Sequence, residues 1–405
     1  MIKVTKIPNG WQKTYLGEIF EFKNGVNAEK SSYGHGIKFI NVMDVFQGNF
    51  IIAEKIIGQI SLSDKKIKEN LVIEGDVLFN RTSEIPEEIA MTSVYLGNEE
   101  VVFGGFVIKG HPKDDSLDNM FKKYCFFSEN VRKEIIRRGQ GAVRINIGQK
   151  DLSKVPILLP QLPEQKAIAD FLSIWDEAID KTERLIQKKE KRFKELQNRL
   201  IYLPTVNEKW KQVQTKFLFK ERRETKRDGL PLLSITNGEG IIPRHETNRK
   251  DTSKKDKSKY LRICPGDIGY NTMRMWQGVS ALSTLEGIIS PAYTICTPGE
   301  KLFPKFVASL FKMPFMIHRF YRYSQGLTSD TWNLKYPNFC EVKMPLPPIK
   351  EQQQIAETLS TALHEIDLHK QLAEQYNTQK RGLMQKMLTG EWRVKPEILN
   401  KYREA

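Results

Sequence analysis

The chain has 405 residues, 40% hydrophobic and 28% charged, which fits a folded protein of two or three domains rather than a disordered one. Lys and Arg outnumber Asp and Glu by 64 to 49, a net charge of +15 that points to a polyanionic partner, most often nucleic acid. No apolar run approaches the ~20 residues of a membrane span, the opening stretch Met1–Lys13 has no apolar signal core, and Cys125, Cys264, Cys296 and Cys340 form no CxxC pair. A cytoplasmic protein with no membrane partner, no cysteine zinc site and no disulfide framework is therefore expected.

In chain order, the first ~150 residues alternate short β-branched and aromatic runs, such as Val101-Val102-Phe103, with Gly, Pro and Asn punctuation; they read as strands and loops. Asn80-Arg81-Thr82 follows Gly75-Asp76 as a polar loop, and Gly139-Gln140-Gly141-Ala142-Val143-Arg144-Ile145-Asn146 forms a second. A long helical pattern comes next. Pro163 and Glu164 suit a first helical turn, where a missing donor is tolerated and a carboxylate complements the positive helix end. Ile168, Phe171/Leu172, Trp175, Ala178/Ile179, Leu185/Ile186, Phe193, Leu196 and Leu200 then recur, mostly at coiled-coil spacing, and Pro204 is expected to end the helix.

The sequence then repeats itself. Trp11 with Ile19-Phe20 is matched by Trp210 with Leu218-Phe219, Gly36–Ile40 by Gly229–Leu233, and Gly75–Asn80 by Gly266–Asn271. Leu159-Pro160-Gln161-Leu162-Pro163-Glu164-Gln165 is matched by Leu346-Pro347-Pro348-Ile349-Lys350-Glu351-Gln352. The offset drifts from 199 to 187, so the second copy is slightly shorter. Its loops are Asn271-Thr272-Met273-Arg274-Met275-Trp276-Gln277 and Ser324–Asn333, the latter preceded by the basic aromatic run Arg319–Tyr323. Its helix carries Ile355, Leu359, Ala362/Leu363, Ile366, Leu372/Ala373, Tyr376, Leu383 and Met387, with Gly390 as the stop. Taken as 164–202 and 351–389, the two helices are of equal length. Each has one apolar stripe, best buried against the other in an antiparallel pair related by a pseudo-two-fold axis.

Enzyme motifs are missing from this pattern. None of the 26 glycines is followed by lysine, so a GxxxxGK[ST] phosphate loop is absent. Gly34-His35-Gly36 and Gly238-Glu239-Gly240 lack the third glycine of a dinucleotide fingerprint and read as turns. No Asn/Asp-Pro-Pro-Tyr/Phe of known amino-methyltransferases occurs. His364 and His369, five apart, do not share a helix face as metal ligands would. No catalytic, cofactor or metal residue is expected in the chain.

The polar loops supply the candidate contacts. Arg bonds guanine bidentately, and Asn or Gln does the same to adenine. The DNA-contact candidates are Asn80, Arg81, Thr82, Gln140, Arg144 and Asn146 in the first copy. In the second they are Asn271, Arg274, Trp276, Gln277, Arg322, Thr331 and Trp332. Capped β-turns with solvated ends are the alternative for these loops; the aromatic run Arg319–Tyr323 reads either as a stacking or phosphate contact or as a helix burying Phe320. Arg244–Arg262, with eight Lys/Arg and three Asp/Glu, reads as a mobile loop tracking phosphates, or as a merely solvated one.

The repeated Glu164-Gln165 and Glu351-Gln352 blocks, the run Tyr270–Gly278 and the stretch Arg381–Gly390 resemble the DNA-specificity subunit of type I restriction–modification systems over nearly the whole chain. Lys350 stands where the first copy has Pro163, a mild variation. The resemblance implies an α+β fold: two mixed target-recognition domains, 1–160 and 204–347, joined by a central helix (161–203) and a C-terminal helix (348–390), with a tail at 391–405. It implies recognition of double-stranded DNA, one half of an asymmetric bipartite target by each domain, with the helices setting the gap. It also implies two modification subunits that hold S-adenosylmethionine and methylate adenine N6, and restriction subunits that translocate and cleave. A catalytic methyltransferase or nuclease fusion with degenerate motifs, and a coiled-coil scaffold without sequence preference, are the alternatives.

Overall fold

The computed structural model describes residues 7–227, 229–236, 238, 240–247, 256–328 and 331–403. The chain divides into two compact units, Met1–Thr182 with Leu372–Ala405, and Glu183–Gln371. The boundary falls inside the two long helices, Leu162–Gln197 and Ile349–Leu388, so each unit holds the start of one helix and the end of the other.

The first unit is built on a five-stranded sheet ordered Phe20–Asn24, Val107–Pro112, Val77–Asn80, Thr92–Tyr95 and Phe50–Ile51. All pairings in it are antiparallel except the last. Helices Asn119–Cys125 and Glu129–Arg138 cover it, with Asp118 and Ser128 as their N-caps. Phe20, Phe79, Phe121 and Phe126 join Ile168 and Leu172 of the first long helix and Met387 and Leu388 of the second in one core. Antiparallel passage of the helices is fixed within this unit: Trp175 meets Tyr376 edge-on with ring centroids 5.9 Å apart, and Asp176 pairs with Lys380. Farther back along the first helix, Glu164 meets Arg393, beyond the end of the second.

The second unit repeats the first four of those strands in the same order, Phe219–Glu221, Tyr293–Pro298, Ile268–Asn271 and Ser280–Leu282. Helices Pro304–Leu310 and Pro314–Tyr323 cover it, and Phe320 is buried in its core with Phe311 and Phe339. Of the two readings of the basic aromatic run, the helix that buries Phe320 is therefore the one found. Ile355 and Leu359 share that core with Ile201, while Phe193, Leu196 and Leu200 pack against it. Lys189 pairs with Glu365 at 2.5 Å and Glu190 with Lys370 at 2.6 Å.

The expected 39-residue helices are 36 and 40 residues long. Pro204 does not end the first. A π-helical turn at Asn198–Tyr202 intervenes, with Leu203 N–H donating to Asn198 C=O, and a last helical turn runs Leu203–Val206 through the proline. A proline clashes with the carbonyl four residues back in a regular helix; the wider turn opens the ladder where that clash would fall.

Candidate nucleic-acid interface

The repeated sequence blocks form a docking frame that is the same in both units. In the first, Gln12–Tyr15 pairs antiparallel with Pro156–Leu159; in the second, Lys211–Gln214 pairs with Lys343–Leu346. Each strand pair leads into a long helix whose first turn carries Glu-Gln. Trp11 Nε1 donates to Glu164 Oε2 at 3.0 Å, and Trp210 Nε1 to Glu351 Oε2 at 3.2 Å. Gln165 Nε2 donates to the carbonyls of Ser116 and Pro160, both at 2.9 Å, while its Oε1 accepts from Asp118 N at 2.9 Å. Gln352 does the same with the carbonyls of Lys301 and Pro347 and with Phe303 N, at 2.9, 2.9 and 2.8 Å. Both glutamines are buried.

Gly-Asp is the second repeated device. Gly75 and Gly266 turn at φ +88° and +91°, in the left-handed region that favours glycine. The following carboxylates close the turn, Asp76 accepting from Ile73 N at 3.0 Å and Asp267 from Cys264 N at 2.8 Å. The next strand, Val77–Asn80 or Ile268–Asn271, then delivers the first polar loop.

In the first unit the two expected loops meet. Thr82-Ser83 pairs with Ile145-Asn146 as antiparallel strands, and Thr82 Oγ1 donates to Asn146 Oδ1 at 2.7 Å. Gln140 and Asn146 exchange backbone hydrogen bonds at 2.9 and 2.8 Å. Asn80, however, is fully buried, its Oδ1 accepting from Met91 N at 2.5 Å and its Nδ2 donating to Thr82 O at 3.2 Å. Its polar atoms are spent on backbone and shape the loop. Arg144 is held by Glu84 Oε1 at 3.1–3.2 Å in an exposed pair. Among the described residues, no hydrogen-bond or ion-pair partner faces the guanidinium of Arg81. Arg132 braces the following turn by donating to the carbonyls of Glu87, Ile89 and Ala90 at 2.6–3.0 Å, and burial lowers its pKa to about 10.

The second unit builds the same pair of loops with other side chains. Gln325 and Asn333 exchange backbone hydrogen bonds at 2.9 and 2.8 Å, and Leu334 N donates to Thr272 O at 2.8 Å as Ile147 N does to Arg81 O at 3.0 Å. Asn271 Oδ1 accepts from Met273 N at 3.0 Å. Trp276 and Trp332 meet edge-on at 5.1 Å, and Tyr321 closes on Trp332 at 4.9 Å. Arg274 and Gln277 are exposed, and among the described residues Arg274's guanidinium has no partner either. Thr331 turns its hydroxyl back onto Thr328 O at 2.9 Å. Arg322 lines a pocket with Gln212, Arg319, Tyr323 and Lys343.

The basic stretch Arg244–Arg262 is not wholly the mobile loop expected. Arg262 sits in strand Leu261–Ile263 and pairs with Glu224 at 2.8 Å and Glu286 at 2.6 Å; hydrogen bonds from Arg262 and Arg222 hold Glu224 at about 2, far below the usual carboxylate range. Arg244 begins a 3-10 turn, Arg244–Glu246. Residues 248–255, and Ser329 and Asp330 of the second loop, lie outside the described residues. Sequence reasoning missed Glu84 and the tryptophan–glutamate bonds. The offset of Trp11 and Trp210 was visible, but nothing in it says what an indole bonds.

The chain matches the family model described as type I restriction modification DNA specificity domain over residues 8–191 and 295–377, more than half its length, and it belongs to that family. It is the specificity subunit of a type I restriction–modification system, the non-catalytic component of these complexes. The type I restriction enzyme MjaVIII specificity subunit of Methanocaldococcus jannaschii is 23% identical over 96% of this chain and 95% of that protein. The crystal structure of a type I restriction–modification S subunit from M. genitalium covers 96% of this chain and 99% of its own with a TM-score of 0.56 at 15% identity. A solved chain described under complex assembly and conformational transition of the type I R-M system gives 0.55 at 12% identity, covering 96% and 100%. The structural likenesses establish the fold, mixed helix and sheet with long helices. Among the described residues, no helix is long and apolar enough to cross a membrane.

Proposed function

We propose that residues 1–160 and 204–347 each read one half of an asymmetric, bipartite target in double-stranded DNA, and that the two long helices set the gap between the halves. The helices also dock two modification subunits, which hold S-adenosylmethionine and methylate adenine N6; restriction subunits join them in the cytoplasm. One observation carries this reading: the same frame presents the same pair of loops twice, and the loops differ in their exposed side chains. A shared frame gives each half the same stance on the duplex, while different side chains at the loops read different bases.

Within that reading, Arg81 and Arg274 are the base readers, because their guanidinium groups have no other partner among the described residues. Arg144, Gln140, Asn146, Thr82, Trp276, Trp332 and Gln277 flank them, and Asn80, Asn271 and Thr331 hold the loops in shape. Arg322, outside the loop pair, contacts the sugar–phosphate backbone.

The test is discrimination measured half by half. Arg81→Ala is expected to cost about 1–3 kcal/mol of preference in one half-site, and Arg274→Ala a similar amount in the other. An equal loss on every sequence would assign both arginines to phosphates and remove them as readers.

A further inference from the structure

Both second loops end in a feature that the reading above leaves unused. After Gln140-Gly141 the chain exposes Val143, 85% accessible; after Gln325-Gly326 it exposes Leu327, fully accessible. These tips occupy equivalent places, each closed by the two backbone hydrogen bonds of Gln140 with Asn146 or Gln325 with Asn333. The glycines make the turn obligatory. Gly141 has φ +125° and a Cβ there would lie 2.1 Å from Arg144 O; Gly326 has φ +144° and its Cβ would lie 2.7 Å from the Thr331 carbonyl. A glycine turn beside two backbone hydrogen bonds therefore holds an aliphatic side chain out in water, twice, next to the loops that carry Arg81 and Arg274.

We propose that Val143 and Leu327 are wedges, each inserting between two stacked base pairs in the half-site that its unit reads. The inference rests on the DNA-reading function proposed above. Aliphatic side chains are used in this way by proteins that unstack and kink a duplex, and a base must leave the stack before a methyltransferase can act on it. The surroundings favour DNA over a protein partner. Val143 is flanked by Arg144, Gln140 and Asn146, and Leu327 by Gln325, Thr328 and Thr331. The centre of a protein interface is depleted in such polar groups; an aliphatic group whose chain neighbours are polar matches one base step with its sugar–phosphate edges.

The experiment uses the full chain assembled with its modification subunits. A pool of random-sequence duplexes is selected for binding, and the enriched duplex is then remade with 2-aminopurine at one position at a time. Wild-type complex is expected to brighten the probe at one base step in each half-site, beside the base that is extruded. Val143→Ser should abolish that signal in the half read by residues 1–160 alone, Leu327→Ser in the other half alone, and Val143→Ile and Leu327→Met should keep it. All four should enrich the same sequence as wild type, since the tips unstack rather than read. Unchanged brightening in both serine variants would overturn the wedge while leaving the reading function intact. So would loss of modification subunits from the serine variants with normal brightening in the complexes that remain, which would make the tips protein contacts. A pool that yields no enriched sequence would overturn the reading function and the wedge together.

Discussion

Gln165 and Gln352 show how one buried side chain can hold a helix to a domain. A glutamine amide offers two donors and an acceptor, and here all three directions meet backbone: two carbonyls and one N–H in each unit. Gln165→Ala and Gln352→Ala each leave those groups buried without partners, so each should destabilise by about 2–4 kcal/mol. Hydrogen exchange should locate the loss in the unit that carries the substitution; a loss spread evenly over both would refute the local account. Cys125 and Cys296 make a second prediction at this scale. Burial pushes both thiols well above their ordinary range, and the thiolate is the reactive form. Neither should react with iodoacetamide in the folded chain, and modification of either at the rate of an unfolded control would contradict the packing described. Residue roles were only partly legible in the sequence. Arg81 and Asn80 read as neighbours in one polar loop, yet the guanidinium of one has no partner among the described residues and the other is buried against Met91 N. Asn80 ends the fully buried middle strand of the sheet and Arg81 lies just beyond it, a placement that depends on partners far along the chain.

The long helices were the most legible elements, because their apolar spacing is local. Ile168, Leu172, Ile179 and Ile186 are buried as the spacing requires, but Phe171 and Leu185 are among the exposed ones. Their partners were not readable one by one, since charge pairs such as Asp176–Lys380 and Lys189–Glu365 depend on register across some 200 residues. That register also governs how the gap-setting role is tested. Pairs are pinned on both sides of the boundary at Thr182 and Gln371, so a lengthening of one helix alone would break them. Four residues inserted after Thr182 together with four after Gln371 add about 6 Å to each helix, close to one turn. With a rise of about 3.4 Å per base pair, the preferred gap should grow by about one or two base pairs, both half-sites unchanged. Selection for binding on duplexes of graded gap would show this; full activity on the original gap and none on longer ones would assign the spacing to other contacts.

At the scale of the whole molecule, duplication is the fact from which the rest follows. It was legible in the sequence because framework residues such as Trp11 and Trp210, or Gly75-Asp76 and Gly266-Asp267, repeat a bond or a turn that tolerates little change. The loops were legible only as places. Their pairing through Thr82 and Asn146, and the edge-on tryptophans of the second unit, arise from residues 50 or more apart. The central claim is that the two units read two different short sequences. Methylation-sensitive sequencing of DNA from cells that express this chain with its modification subunits tests it most directly. The expected pattern is adenine methylation within two short, unlike sequences at one fixed gap, with Arg81→Ala relaxing one sequence and Arg274→Ala the other. A single uninterrupted motif, or the same motif in both halves, would contradict the account.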